Sequence, residues 1–338
     1  MMLVMLVIDG SFGEGGGQIL RTSLSLSAIT RRPLHLVRIR ARRSRPGLLA
    51  QHLTALNAIR EVCAADVEGA TLGSSEVRFT PHGVHAGRYR FAVGTAGSAC
   101  LVLQTVLWPL LFADGPSELT LEGGTHNEKA PTFDFLASTF LPLLGRMGAR
   151  VDAKLERHGF YPAGSGRMRF TIHPCAALER LDLEEAGPVL RQRARILIAR
   201  LPAHIAEREQ AEVHRGLRLG ECAIETVDSI GPGNVVMLEL EREQLTETIT
   251  GFGRRGVPAE RVAADVVRQA REYLRADVPV GEHLADQLIV PMALAGGGAF
   301  RTVPLSLHST TNIDVVRRFV DIDIATDTDA SGRVRVFA

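Results

Sequence analysis

The segment GSFGEGGGQILR, residues 10–21, carries five glycines in twelve positions, with Glu14, Gln18 and Arg21 among them. It follows an apolar stretch that reads as a buried strand, Leu3 to Ile8, and precedes an apolar helical pattern. Glycines at a strand-to-helix turn let the backbone approach a bound group. A helix N-terminus there offers unpaired N–H groups to an anion. Glu14 is a carboxylate in a loop otherwise suited to phosphate, which points to a metal ion between the two. The loop is not a Walker A motif, because no Gly-Lys-Ser/Thr follows, and its spacing is not the dinucleotide-binding fingerprint. A flexible surface turn would use the same glycines, so the loop alone leaves both readings open.

His308 is the candidate nucleophile. It ends an extended segment, 303–307, and precedes Ser309, Thr310, Thr311 and Asn312, a run rich in helix-capping residues. That places an imidazole beside a helix N-terminus, where a phosphate can be held. With a reference pKa of ~6.5, an imidazole is partly unprotonated near neutrality and attacks phosphorus without a separate strong base. The phosphoramidate it forms can pass the group on. Without further context, the commoner role of a lone histidine is structural.

Other groups have the types that chemistry needs. Arg21, Arg40 and Arg43, with Gln51 and His52 on the next helix, supply guanidinium forks suited to a terminal phosphate. Gln104 lies on an otherwise apolar helix face, where a buried amide must find partners. Pro131 and Phe135 follow Thr125, His126 and Asn127 and suit either a core or a pocket wall. His283, Leu284, Ala285, Asp286 and Gln287 open a helix, where an acid in the first turn favours the dipole.

The elements that must position these groups alternate in period. Helices are expected over 18–29, 47–64, 98–112, 133–147 and 284–295. Strands are expected over 34–40, 89–93 and 119–122, with 301–307 extended. Helix-then-strand units recur near 18–40, 98–122, 133–156 and 284–307, a degenerate repetition best explained by several small sheets, each covered by helices. The pattern breaks between about 180 and 278. There, 195–201, 235–241 and 246–251 read as strands, and 203–217 and 258–274 as helices. The expected fold class is α/β, built of α+β repeats. A catalytic domain of 1–180 plus 278–338 carries an inserted domain, 181–277.

Composition bounds the partners. Apolar residues make up 45% and charged residues 23%, ordinary for a globular protein. Aromatics are only 5%, which argues against a long base-stacking platform. No apolar run approaches the ~20 residues of a membrane span, and the N-terminus reads as a strand rather than a signal peptide. Cys63, Cys100, Cys175 and Cys222 are scattered and read as mostly buried thiols of a cytoplasmic protein. Net charge is +1, yet nine arginines and no acid lie between Gly15 and Arg60. The chain uses arginine throughout, so the absence of acids carries the inference of phosphate contact. Arg31, Arg32, Arg38, Arg42 and Arg45 read as a general basic surface.

EGGGQILR followed by SLSLS, then RPGLLAQHLTAL, GTAGSACLVLQTVL, RHGFYPAGSG, EHLADQLIVPMALAG and LHSTTNIDVVRRF, resemble the RNA 3'-terminal phosphate cyclase family in order and spacing from residue 8 to about 320. The resemblance implies a large repeat-built domain similar in architecture to 5-enolpyruvylshikimate-3-phosphate synthase, with a smaller insert. It implies ATP-dependent cyclisation of an RNA 3'-terminal phosphate through a covalent His308–AMP. It also implies ATP contacts from Gln104, Pro131, Phe135 and residues 283–287, with the ring at 283 against adenine. That family often has tyrosine where this chain has His283. Arg21, Arg40, Arg43, Gln51 and His52 would hold the RNA phosphate, and Glu14 a Mg²⁺ or Mn²⁺ ion. A homodimer is compatible with this reading. The rivals are a non-catalytic RNA-processing factor of the same fold, against which Glu14 and His308 argue, and an enolpyruvyl transferase, which would need no nucleotide.

Overall fold

The structure, a computed structural model, describes residues 5–338. Three times the chain builds strand, helix, strand, helix, strand, strand. The first unit is β1 (Leu6–Asp9), α1 (Gly17–Thr30), β2 (Leu34–Val37), α2 (Ala50–Val62), β3 (Asp66–Glu68) and β4 (Val77–Thr80). Its sheet order is β1-β2-β4-β3, with β1 parallel to β2 and the other pairs antiparallel. The second is β5 (Arg88–Ala92), α3 (Ala99–Leu111), β6 (Ser117–Gly123), a helical stretch, β7 (Arg150–Arg157) and β8 (Gly166–His173), in the same order and polarity. That helical stretch is α4 (Phe133–Phe135), a π-turn (Leu136–Phe140) and α5 (Leu141–Arg146). Pro142 has no N–H for the carbonyl of Ser138, so one continuous α-helix over 133–147 gives way to a wider turn.

The third unit opens with β9 (Leu181–Leu183) and is then interrupted. The excursion runs through β10 (Val189–Ala199), α6 (His204–Gly216), β11 (Glu221–Thr226), β12 (Gly233–Arg242), β13 (Thr246–Phe252) and α7 (Ala259–Ala276), with sheet order β11-β10-β12-β13. The chain returns through α8 (Glu282–Leu294), β14 (Gly298–Thr302), α9 (Leu307–Phe319), β15 (Ala325–Thr328) and β16 (Val334–Phe337), closing the sheet as β9-β14-β16-β15. The expected helix–strand recurrence is present, but the pairs near 98–122 and 133–156 belong to a single sheet. Strand β1 pairs on one side only and alternates, with Ile8 buried and Val7 61% exposed; Leu3 lies outside the described residues. Strand β2 stops at Val37, because Arg38 and Arg40 take positive φ (53° and 54°) and turn the chain out of the sheet.

The three units share one core, whereas the excursion has its own, centred on Ile196, Val236, Leu238 and Val266. Helix α7 lays Val262, Val266, Ala270 and Tyr273 on that sheet. The outer face of the excursion's sheet receives Phe160 from the body, against Leu197, Val235 and Met237. Polar bonds fix the same junction. Arg195 Nη1 donates to Asp134 Oδ1 (2.6 Å), and His126 behind it contacts Asp134 Oδ2 (2.7 Å). Thr139 and Thr248 hydroxyls meet at 2.9 Å. Buried Glu247 accepts the Gly281 N–H at the start of α8 (2.9 Å).

Burial pushes the Glu247 carboxyl up to about 8, and only the Gly281 N–H opposes this. Tyr273 lies beside it, and Arg242 and Asp277 neighbour Tyr273 in turn. A carboxyl raised in the folded state binds more protons there than when unfolded, so its contribution is full below the ordinary carboxylate value and lost as pH rises towards 8. Glu247→Gln should remove this dependence. In urea titrations between pH 5 and 8, the wild type should lose up to about 1 kcal/mol per pH unit relative to the variant. Parallel stability–pH curves would contradict the assignment.

Candidate active site

Four helix N-termini meet in one cleft of about 940 Å³, walled by the three-unit body on one side and the excursion on the other. First-turn residues of α1, α2, α8 and α9 (Gly17, Gln51, His283 and His308) all line it. Each N-terminus carries a partial positive charge, so the cleft attracts anions although the whole chain is nearly neutral. Helix α1 has no side-chain cap, leaving its leading N–H groups for a ligand.

The glycine loop is held by close approach. Gly13 has φ +50°, and a Cβ there would strike Thr311 of α9. Thr311 Oγ1 accepts the Glu14 N–H at 2.9 Å. A Cβ on Gly17 would overlap His52 Nε2 and come within 2.9 Å of Arg21 Nη1. The loop is therefore a fitted surface and not a flexible turn.

His308 is the second residue of α9, capped by Ser306, whose Oγ accepts the Ser309 N–H (3.2 Å). The expected extended segment through 307 and capping run at 309–312 are thereby corrected. Ser306 stands three residues before Ser309, the spacing at which a hydroxyl caps, and Thr311 instead donates to Leu307 O (2.6 Å) inside the helix.

A hydrogen-bonded chain runs behind His308. Its Nδ1 lies 3.0 Å from Gln18 Oε1, and Gln18 Nε2 donates to Asp286 Oδ1. Asp286 also accepts from Gln287 Nε2 (3.1 Å) and from Asn312 Nδ2, which reaches its main-chain oxygen at 3.2 Å. Gln104 donates to Gln287, and Thr22 to Asn312 (2.9 Å). An ionised carboxylate only accepts, so it takes the NH₂ of Gln18 and turns the amide oxygen towards His308. That network assigns the imidazole proton to Nδ1 and the lone pair to Nε2. Nε2 lies 3.7 Å from Glu14 Oε1. Burial lowers the His308 pKa, with Asp286 opposing, which favours the neutral, nucleophilic form.

A family model for RNA 3'-terminal phosphate cyclase matches residues 12–326. The RNA 3'-terminal phosphate cyclase of Salmonella enteritidis is 48% identical over 332 residues, 98% of either chain. That of Koribacter versatilis is 50% identical over 323 residues, 95% of this chain and 91% of its own. The chain belongs to the RNA 3'-terminal phosphate cyclase family. It is an enzyme of the ligase type that serves RNA processing.

In this cyclase, thirteen of the fifteen residues singled out from sequence line the one cleft: Glu14, Arg21, Arg40, Arg43, Gln51, His52, Gln104, Pro131, Phe135, His283, Asp286, Gln287 and His308. Leu284 and Ala285, expected beside them, do not line it. Both are core residues at 0% and 1% exposure, because positions one and two residues past His283 fall on the helix face turned to the body. Arg40 lines the cleft, but its Nη1 is committed to the carbonyls of Arg45 (2.5 Å) and Gly47 (2.8 Å). It braces the loop as well as facing the cleft. His52 is buried, and burial with Arg21 and Arg40 nearby drives its pKa down to about 3. Its Nδ1 accepts the Leu49 N–H (3.1 Å), so neutral His52 presents Nε2–H beside Gly17 as a donor. Arg21, lowered by burial to about 10, remains cationic. Gln51 accepts the Ser98 N–H (3.1 Å). Sequence reading left Gln18, Thr22 and Asn312 out of the site. Asn312 was legible, since it stands four residues after His308, on the same helix face.

Glu14 gives one carboxylate oxygen to Arg43, and its Oε2 is buried without a partner. Among the described residues no group of three or more His, Cys, Asp or Glu could hold a metal by itself. These residues fit a cation held by one carboxylate and completed by substrate phosphates and water, as Mg²⁺ commonly is. They do not form a protein cage.

Gly17→Ala should slow cyclisation of a 3'-phosphorylated RNA on the order of 100-fold by displacing His52 and Arg21, with melting temperature little changed. A wild-type rate in a single-turnover assay would show that the close approach is not needed.

Proposed function

We propose that this chain converts an RNA 3'-terminal phosphate to a 2',3'-cyclic phosphate at the expense of ATP, through covalent adenylation of His308. The observation that carries the reading is the contact of His308 Nδ1 with Gln18 Oε1 (3.0 Å) at the cleft wall, which leaves Nε2 as the nitrogen free to attack. In the first step Nε2 attacks the α-phosphorus of ATP, the P–N bond forms, and pyrophosphate leaves. An oxygen of the RNA 3'-phosphate then displaces His308 and takes the AMP, giving a pyrophosphate linkage. The vicinal 2'-hydroxyl finally attacks the terminal phosphorus, loses its proton and expels AMP. A divalent cation on Glu14, when bound, would offset charge on the ATP phosphates.

The cleft supports a division of labour. Gln104, Pro131, Phe135, His283, Asp286 and Gln287 form the nucleotide side. Arg21, Arg43 and the Nε2–H of His52 form the phosphate side, with Gln51 and Arg40 behind them. The separate core of the excursion supports reading 181–277 as an inserted domain on a catalytic domain of 1–180 plus 278–338. The threefold unit supports the reading of an architecture like that of 5-enolpyruvylshikimate-3-phosphate synthase. Among the described residues no helix is long and apolar enough to cross a membrane; a cytoplasmic location and a homodimer are part of the proposal.

His308→Ala should abolish acid-labile label retained from ATP labelled at the α-phosphorus, while circular dichroism stays native. Label retained by the variant would move the nucleophile elsewhere, and none on the wild type would favour a non-catalytic factor. Gln18→Leu should slow adenylation by roughly 10- to 100-fold, because either imidazole nitrogen can then hold the proton, with little change in the KM for ATP. An unchanged rate, or an effect on KM alone, would reduce Gln18 to a packing role.

A further inference from the structure

We propose that the excursion's wall of the cleft is the track for the RNA strand upstream of its 3'-terminal nucleotide; the proposal rests on reading the cleft as the cyclase site. Nucleotide and terminal-phosphate candidates all come from the three-unit body. The facing wall, from β13, α7 and the loop between them, contributes Phe252, Arg254, Arg261 and Arg268 to the same cleft. None of these has a role in the adenylation chemistry. An RNA whose 3' end reaches His308 must leave the cleft between the two walls, so its next phosphates and bases meet this surface.

The composition of the wall suits a strand read without regard to sequence. Arg261 and Arg268 stand seven residues apart, two turns of α7, so both fall on one face, about 10.5 Å apart along the helix. The opposite face of that helix is spent on the excursion's core through Val266, Ala270 and Tyr273. Arg261 pairs with Asp265 (3.2 Å) and Arg268 with Glu272 (3.0 Å), all four side chains being exposed. Exposed pairs of this spacing hold weakly, and a phosphate offers a guanidinium the same forked acceptor. Arg254 reaches across the mouth to Glu128 of the body. Phe252, half-buried on the last residue of β13, supplies an aromatic face among these cations, the combination that binds single strands by stacking and charge.

The test measures binding by fluorescence anisotropy, with RNAs of about three and about twelve nucleotides, both ending in a 3'-phosphate. Arg261→Ala/Arg268→Ala should weaken the longer RNA by roughly tenfold or more and the shorter by less than about twofold. The slope of log affinity against log salt for the longer RNA should fall by about 1.4. Arg261→Lys/Arg268→Lys should keep the wild-type slope, which separates lost charge from lost folding. Phe252→Leu should weaken the longer RNA by roughly tenfold without altering the slope. Unchanged affinity and slope in the alanine variant would overturn the proposal. Equal losses on both RNAs would also do so, by assigning these arginines to the terminal phosphate. Retention of label from ATP by wild type, measured on the same preparation, reports separately on the adenylation reading.

Discussion

The carboxylate of Asp286 is the constraint on which the site depends. It is sunk among Gln18, Gln287 and Asn312, side chains from α1, α8 and α9, and each donates to its carboxylate. Burial raises its pKa, while the bond from Gln18 and the charges of His308 and Arg21 oppose that rise. Because a carboxylate accepts and never donates while ionised, it orients every amide around it. One orientation, that of Gln18, decides which nitrogen of His308 is bare. Another, that of Gln287, faces Gln104 and so ties α3 to the hydrogen-bonded chain behind His308. A chain of this kind is costly when broken, since each orphaned buried group loses its partner outright.

The three-unit body gives that carboxylate its setting. Each unit sends helices across its sheet, and the helix starts of the first and third converge on one cleft. No cluster of cations is needed to make such a place attractive to phosphates. Dipoles and free N–H groups at the helix starts supply the field locally, and Arg21, Arg43 and neutral His52 add directed donors. The glycine loop enters because only a backbone without Cβ can lie between Thr311 on one side and His52 with Arg21 on the other.

The excursion completes the cleft from outside the repeat. It is held by Phe160 in its outer apolar face, by the Asp134–Arg195 pair and by Glu247 at the N–H of Gly281, the residue before α8. The last contact touches the helix that carries His283, Asp286 and Gln287. The wall opposite His308 and the orientation of α8 therefore share one junction.

Sequence by itself determined the periodic elements and the residues with the right chemistry. Helices at 18–29, 98–112 and 284–295 and strands at 235–241 and 246–251 were legible because their apolar spacing is local. Glu14, Arg21, His52, Gln104, Asp286 and His308 stood out by type against their neighbours. Three things had to wait for the tertiary structure. Which unit each strand joined depends on pairings between residues far apart in the chain. The start of α9 was settled by competition between Ser306 and the hydroxyls at 309–311. The role of Gln18, like the core burial of Leu284 and Ala285 beside Asp286, follows from which face of a helix meets the body. A sequence states what each side chain can donate or accept; only packing decides which partner is within reach.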